Sequence, residues 1–143
     1  MARVSTYVNF PGNSEEAFNF YRSAFGTEFH GPIMRFGDMP PEAQAPGMSD
    51  AEKNMIMHIE LPILGGHMLM ATDVPPSMGR EVVVGNNTTI TLEPDTTADA
   101  DRLYAQLSQG STECVAPAQM PWGAYWGVCL DRFGIRWMFS VNA

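Results

Sequence analysis

The sequence is poor in basic residues and has no long apolar run, and each shortage excludes a class of protein. Its 8 lysines and arginines stand against 16 aspartates and glutamates, which gives a net charge of −8 at pH 7. A surface of this sign repels nucleic acid phosphates and anionic membranes, so we expect neither as a partner. No apolar run approaches the roughly 20 residues that span a bilayer. The chain enters a strand pattern without an apolar signal region, so we predict a cytoplasmic location.

Cysteines and catalytic motifs are also scarce. Cys114 and Cys129 do not make a disulfide framework, and two buried, reduced thiols are expected in a cytosolic chain. The alternative is that the two cysteines face each other across a hairpin, because they lie at similar distances from Pro121 and Trp122. We find no nucleophile elbow, phosphate-binding glycine loop or CxxC pair in the sequence.

The chain has enough hydrophobic residues to form one hydrophobic core, since they make up 45% of its 143 residues. Apolar positions alternate in some segments and recur every three or four residues in others, which distinguishes strands from helices. The predicted order is strand, helix and three strands, followed by the same five elements again. Strands are predicted at 4–10, 27–35, 54–61, 67–72, 88–92 and 112–116 and in a hairpin within 122–138, and helices at 14–24 and between Thr96 and Gly110.

Short polar signals predict the helix ends and one long loop. Asn13, with Glu16 three residues later, predicts a capping box, and Gly26 predicts the end of the first helix. Thr96 is the predicted N-cap of the second helix. Prolines, glycines and small residues over 36–53 predict an irregular loop with a helical turn near its end. A loop of this length is typical of a lid, a binding loop or a solvated excursion.

The repeated order of elements predicts an internal duplication. One βαβββ unit cannot cover both faces of its sheet, so we predict an α+β fold with two tandem βαβββ modules in a single domain. The first module is predicted over about 1–75 and the second over about 86–143. Together they would form a curved mixed sheet, shaped as a cup, with helices on the convex side and a ligand site on the concave side.

The last hairpin concentrates the aromatic surface of the chain. All three tryptophans lie there, and Trp122, Trp126 and Trp137 are candidates for the cup wall or the core. Because side chains alternate along strands, the three cannot all share one face. Asp131, in the turn of the hairpin, is interpreted as a residue that satisfies turn backbone rather than as a catalytic group.

The order of elements and the local sequence together resemble the vicinal oxygen chelate superfamily, which is the glyoxalase, bleomycin-resistance and dioxygenase fold, and within it the PhnB-like branch. The resemblance covers essentially the whole chain and implies the cup fold, a small-molecule ligand and a homodimer. Members of this branch are often labelled methyltransferases, yet the sequence offers no glycine-rich nucleotide-binding turn. The matching stretches are Asn19-Phe20-Tyr21, Phe25-Gly26, Met57-His58, Leu61, Gly65-Gly66, Leu69-Met70, Asp73, Trp122-Gly123, Gly127, Asp131-Arg132-Phe133-Gly134 and Trp137.

The resemblance also implies where a metal would bind, because metal-dependent members carry one ligand on each of the first, fourth, fifth and eighth strands. The matching positions in this sequence, within one or two residues, are Thr6, Met70, Thr88 and Met138. Two hydroxyls and two thioethers do not suit the divalent metals of this superfamily, which prefer imidazole and carboxylate ligands. Moving each position by one residue along the sequence supplies no better ligands. We therefore predict no cofactor. These four residues, with Trp122 and Trp126, become candidates for the lining of a ligand pocket.

His58 is the candidate for catalysis. His58 and Glu60 are two residues apart on a predicted strand, so they share a face. Glu60 or Asp73 could orient the imidazole as a general base. The alternative is a metal site of His58, Glu60 and His67. A simple hairpin pairs His67 with Pro62 instead, several residues from His58.

Three functions follow from these patterns. The first is a metal-free cup that binds a small organic molecule, and the acidic composition favours a cationic or neutral guest. The second is an enzyme of the same superfamily that uses His58 for proton transfer. The third is a dimeric interaction module without a ligand. The sequence leaves open whether any reaction is catalysed.

Overall fold

The computed structural model of the protein describes residues 1–142, and the chain forms two compact units, Met1–Val83 and Val84–Ala143. Each unit contains a strand, a helix and three further strands, in that order. The predicted α+β fold with two βαβββ modules is therefore confirmed. We call the units module 1 and module 2.

Module 1 is a four-stranded mixed sheet with one long helix. Its elements are β1 (Thr6–Phe10), α1 (Ser14–Phe25), β2 (Met34–Arg35), a short α2 (Asp50–Lys53), β3 (Ile56–Pro62) and β4 (Met68–Asp73). The strands lie in the order β1-β4-β3-β2, with β1 parallel to β4 and the other neighbours antiparallel. The helix after β1 lets the chain cross over and return parallel to β1 in the same sheet.

Module 2 repeats this arrangement. Its elements are β5 (Ile90–Leu92), α3 (Thr97–Leu107), β6 (Glu113–Gln119), β7 (Ala124–Leu130) and β8 (Arg136–Asn142). The strands lie in the order β5-β8-β7-β6, and β5 is parallel to β8. The matching order and pairing show that the two halves of the chain use one topology.

In each module, one face of the sheet packs against the long helix and forms the core. Phe18 of α1 lies edge-on to Phe10 of β1, with ring centroids 6.3 Å apart, so Phe10 points towards the helix. In module 2, Tyr104 of α3 packs against Phe139 of β8 at 5.6 Å. Burying each such apolar side chain contributes about 1.5–3 kcal/mol. The fully buried members on the helix sides include Ala17, Tyr21, Leu61, Leu69, Ala71, Ala100, Leu103, Leu107 and Trp137.

The N-terminus of α1 is held differently from the prediction. The predicted capping box at Asn13 is wrong, because the Asn13 side chain caps no helical N–H, and its Oδ1 is buried without a partner among residues 1–142. The Ser14 backbone N–H and hydroxyl instead donate to Asp73 Oδ1, at 3.0 Å and 2.6 Å. A carboxylate from β4 thus occupies the positive end of the helix.

The predicted helix signals at Gly26, at Thr96 and near the end of the long loop are confirmed. Gly26 adopts the left-handed conformation, with φ 65°, and its N–H donates to Arg22 O. Thr96 Oγ1 accepts from the Asp99 N–H at 3.1 Å and caps α3. The helical turn expected near the end of the long loop is α2, where Ser49 and Glu52 form a reciprocal capping box. The helix α3 ends at Leu107, before the expected stop at Gly110.

Strands β2 and β6 differ in length from their predictions, and a glycine or a proline accounts for each difference. The second strand was expected over 27–35, but β2 has two residues, because Gly31, with φ 72°, and Pro32 interrupt the extended chain. The strand β6 extends through Pro117, which was expected in a loop. The register shifts between Val115 and Ala118, and this bulge accommodates a proline that has no N–H to donate. The bulge lies against Gly127, where an added Cβ would come within 2.6 Å of Pro117 N.

Candidate ligand-binding faces

The sheet face of module 1 opposite α1 carries a cluster of polar and apolar side chains, which we call the open face. Tyr7 of β1 lies opposite Met70 of β4, and Met70 lies opposite Glu60 of β3. Their neighbours Leu69 and Leu61 are fully buried towards α1, so these three residues point the other way. The strand register therefore aligns a phenol, a thioether and a carboxylate across three adjacent strands.

His58 joins this cluster through Glu60. Its Nε2 lies 2.9 Å from Glu60 Oε1, and the two side chains are 30% and 19% exposed. The hydrogen bond from His58 lowers the pKa of Glu60, against the opposing effect of burial, and the charges of His58, His30 and Arg3 lower it further. An ionised carboxylate can only accept, so Nε2 carries the hydrogen. In the neutral imidazole, Nδ1 is then the atom that can accept a proton.

Tyr7 gives the open face an accessible aromatic surface. Its ring centroid lies 6.0 Å from that of His58, with the two planes tilted by 32°. The residue is 46% exposed, so the ring is available for stacking. The sequence analysis assigned no role to Tyr7. Tyr7 lies one residue from Thr6, and the position of Thr6 was predicted only to within one or two residues.

Thr6, a predicted pocket residue, points to the other face of the module 1 sheet. Its register partner is the buried Leu69, whereas Met70 is aligned with Tyr7. The Thr6 hydroxyl lies 2.8 Å from His67 Nε2. The position that shares a face with Met70 is therefore Tyr7, one residue further along β1. The parallel register of β1 and β4 thus moves the candidate position on β1 from Thr6 to Tyr7, within the predicted margin of one or two residues.

In module 2, Thr88 precedes the fifth strand and is not part of it, because β5 begins at Ile90. Thr91 is the residue that lies opposite Met138 of β8, and its hydroxyl is 3.8 Å from the Met138 sulfur. Thr91 and Met138 thus correspond to Tyr7 and Met70 of module 1. The predicted position at Thr88 is three residues away from the one that the register selects.

The residues at these positions do not fit the metal site that the fold implies. Module 1 supplies a phenol and a thioether, and module 2 supplies a hydroxyl and a thioether, where divalent metals need imidazole or carboxylate ligands. The alternative site of His58, Glu60 and His67 is not assembled, since His67 bonds to Thr6 and His58 bonds to Glu60. Among residues 1–142, no three histidine, cysteine, aspartate or glutamate side chains are grouped to hold an ion.

The three tryptophans of the last hairpin separate into two environments, as the alternation predicted. Trp137 is fully buried on the α3 side, whereas Trp126 lies opposite Ser140 on the other face of the module 2 sheet. Trp122, in the preceding loop, meets Trp126 edge-on at 5.9 Å and is 67% exposed. Trp122 and Trp126 form an accessible aromatic pair within module 2.

Asp131 acts in the turn, as the sequence indicated. Its Oδ1 accepts from the N–H groups of Phe133 and Ile135, at 2.8 Å and 3.0 Å. Its Oδ2 accepts from the indole N–H of Trp137 at 2.8 Å. Asp131 is 3% exposed, so it joins the turn to the core and does not face a ligand.

Comparison with known proteins agrees with this fold. The model of the Glyoxalase/Bleomycin resistance protein/Dioxygenase superfamily matches residues 3–139, and the chain therefore belongs to that superfamily. Protein YjdN of Escherichia coli (strain K12) is 28% identical over 143 residues, covering 96% of this chain and 94% of YjdN. The superfamily predicted from the sequence is confirmed.

Solved structures show the same architecture. Protein PA1353 from Pseudomonas aeruginosa superposes with a TM-score of 0.80 at 29% identity, over 99% of this chain and 98% of that chain. The PhnB protein from Bacillus cereus gives a TM-score of 0.74 at 22% identity, over 99% and 100% of the two chains. The second of these likenesses supports the fold alone. Within the described part of the chain, no helix is long and apolar enough to cross a membrane.

Proposed function

We propose that this protein binds a small organic molecule on the open face of module 1 without a metal ion. The observation that carries this proposal is the partly exposed hydrogen bond between His58 and Glu60 beside the accessible ring of Tyr7. The ring supplies stacking area, the thioether of Met70 supplies adaptable apolar contact, and the polar pair orients a hydrogen-bonding group. Superfamily membership supports a small molecule as the ligand class.

The guest we propose is cationic or neutral. The net charge of −8 disfavours an anion. At the site, Glu60 is already paired with His58, so a cation competes for Glu60 while a neutral guest leaves the pair intact. Trp122 and Trp126 offer a second stacking surface within module 2.

Calorimetric titration of three matched sets of aromatic probes tests this proposal: amines, phenols and carboxylates of similar size. We expect the amines or phenols to bind more tightly than the carboxylates, and Tyr7→Ala to weaken the best probe by roughly tenfold, or about 1.4 kcal/mol. Tyr125→Ala is the matched control, because Tyr125 bonds to Asp101 at 2.5 Å on the α3 side of module 2. Equal losses in both variants, or the absence of binding by every probe, would contradict the proposal.

A second candidate function is proton transfer by His58. The lowered pKa of Glu60 keeps that carboxylate ionised, so Glu60 fixes the imidazole tautomer and leaves Nδ1 as a general base. Deuterium exchange into carbonyl compounds with acidic α-hydrogens, followed by proton NMR in heavy water, tests this function. Exchange that survives in His58→Gln would rule out His58 as the base, and His67→Gln serves as the control histidine.

We also propose a homodimer, which the superfamily relationship supports. Sedimentation equilibrium of the full chain measures this directly. A single monomeric species at micromolar concentration would remove the proposal. The cytoplasmic location and the division at about 1–75 and 86–143 remain predictions from the sequence.

A further inference from the structure

Cys114 and Cys129 occupy directly opposed positions on neighbouring strands. They are Cα partners in the antiparallel register of β6 and β7, and both thiols are free. Directly opposite residues in such a pair have Cβ atoms about 4.5–5.5 Å apart. A disulfide needs about 3.5–4.5 Å, so a small shift of one strand brings the two sulfurs into bonding geometry.

The two thiols differ in access. Cys114 is exposed on the edge strand β6, whereas Cys129, on the neighbouring strand β7, is 2% exposed. Both contribute to the wall of one open cavity of about 410 Å³, which Val115 and Arg136 also line. A reagent that enters this cavity reaches the Cys114 sulfur first. Cys129 lies close enough to react with Cys114 afterwards.

The strand that carries Cys114 has room to move. β6 is the outer strand of its sheet, so it is bonded to a neighbour on one side. Its register with β7 breaks just after Val115, and residues from Glu113 to Ala116 are exposed. A strand with a bulge and a free edge can adjust by the roughly 1 Å that separates the two ranges of Cβ distance.

We propose that Cys114 and Cys129 form a reversible cross-strand disulfide when the protein meets a small disulfide oxidant such as glutathione disulfide. In the first step, the Cys114 thiolate attacks one sulfur of glutathione disulfide, forming a mixed disulfide and releasing one glutathione thiolate. In the second step, the Cys129 thiolate attacks the Cys114 sulfur and displaces the second glutathione. Two protein thiols are oxidised and one glutathione disulfide is reduced to two glutathione thiols, with the two protons passing to solvent or product.

The surroundings of the sulfurs support this order of steps. Burial, with a further contribution from the charge of Asp131, raises the pKa of Cys129 to about 12. Cys129 is therefore a poor first nucleophile and becomes the resolving thiol once Cys114 is activated. Hydrogen bonding to Cys114 is the main cause that raises the pKa of Tyr104 on α3 to about 12, which indicates that the Cys114 sulfur lies near the Tyr104 hydroxyl.

Intact-mass measurement of the full chain after incubation with glutathione disulfide tests the proposal. The wild-type chain is expected to lose two hydrogens and become resistant to thiol alkylation, and dithiothreitol is expected to reverse both changes. Cys129→Ser is expected to stop at a mixed disulfide with one glutathione. Cys114→Ser is expected to remain unmodified, because its remaining thiol is buried.

Three outcomes would overturn the proposal. The first is a wild-type chain that accumulates the mixed disulfide as fully as Cys129→Ser, which would show that Cys129 does not resolve it. The second is a disulfide between two chains through Cys114. The third is a wild-type chain that stays fully reduced. Peptide mapping of the oxidised product distinguishes a Cys114–Cys129 link from any other.

Discussion

At the scale of single residues, Glu60 sets the electrostatics of the open face of module 1. The hydrogen bond from His58 is the largest of the effects that lower the pKa of Glu60. The pKa of Glu60 is lower in the folded chain than in the unfolded chain. The hydrogen bond from His58 therefore stabilises the fold at pH values above the pKa that Glu60 has in the unfolded chain. This stabilisation is lost as pH falls through the folded pKa.

Removing the imidazole should therefore raise the pKa of Glu60. We expect His58→Asn to move it upward towards the ordinary value of 4.5, measured by carbon NMR titration of the Glu60 carboxyl. His67→Asn is the control, since His67 bonds to Thr6 and should leave Glu60 unchanged. A Glu60 titration that is identical in wild type and His58→Asn would show that the pair does not form in solution.

Asp131 is a single residue whose substitution should strongly lower the free energy of unfolding. Asp131→Asn places an amide donor where the carboxylate now accepts from Phe133, Ile135 and Trp137. We expect a loss of about 2–3 kcal/mol in the free energy of unfolding, because buried donors lose their acceptor. Denaturant unfolding measures this, and Asp38→Asn, at an exposed turn carboxylate that accepts from Arg35 N, should cost less than about 1 kcal/mol. Equal effects would contradict this account of Asp131.

At the scale of elements, α1 depends on a strand rather than on its own first turn. Asp73 of β4 accepts from the Ser14 N–H and hydroxyl through Oδ1, and from the Ile56 N–H through Oδ2. The same carboxylate therefore joins the start of the helix to two strands. An anion from solution has no free access to this helix end, because Asp73 already occupies it.

The contrast between Asp73 and Asn13 gives a direct test. We expect Asp73→Asn to lower the free energy of unfolding by about 2–3 kcal/mol, since one amide group cannot accept all three hydrogen bonds. Asn13→Ala should change it by less than about 0.5 kcal/mol, because its side chain makes no cap. Denaturant unfolding of the two variants measures the difference, and a larger loss in Asn13→Ala would restore the capping box.

The short helix α2 is joined to the loop after β4 by Glu52. Its carboxylate accepts from the Ser77 N–H at 2.8 Å and the Ser49 N–H at 3.1 Å. These bonds, with that to Ser77 the strongest cause, lower the pKa of Glu52 from 4.5 to about 2. The bonded carboxylate therefore stabilises the fold at neutral pH, and this contribution falls progressively as pH drops from about 4.5 to about 2.

Glu52→Gln should remove that pH dependence. We expect the variant to melt below the wild type at pH 7, with the gap narrowing between pH 4.5 and pH 2 as the wild-type carboxyl is protonated. Thermal melts by circular dichroism across this range measure it. Glu42→Gln, in the exposed part of the same long loop, is the control. A gap that stays constant with pH would show that Glu52 acts through packing alone.

At the scale of the whole molecule, the fold is that of a superfamily with metal enzymes, while the corresponding side chains are unsuited to metals. Tyr7 and Met70 in module 1, and Thr91 and Met138 in module 2, provide no imidazole or carboxylate. We expect the purified chain to hold well under one divalent ion per molecule by mass spectrometry of the elements. We also expect added Zn²⁺ or Ni²⁺ to leave the melting temperature unchanged. A stoichiometric ion retained after dialysis would contradict this assignment of the four positions.

Much of the fold was readable from the sequence, because the signals that define elements are local. Apolar spacing gave the order of strands and helices, Gly26 and Thr96 marked helix ends, and Asp131 marked a turn that it does stabilise. The face shared by His58 and Glu60 followed from the two-residue period of a strand, and their hydrogen bond agrees with it. The short β2 was less predictable, since Gly31 breaks a segment that otherwise looks extended.

The sequence by itself determined the α+β class, the duplicated order of elements and the superfamily, since these depend on residues close together in the chain. The tertiary structure alone decided which residues meet. The parallel register of β1 and β4 selects Tyr7 over Thr6, and a shift of one residue along a strand reverses the face. The contact between Ser14 and Asp73 spans 59 positions, so no local signal in the first turn of α1 could reveal it. Long-range pairing likewise aligned Cys114 with Cys129, for which spacing had offered one of two alternatives.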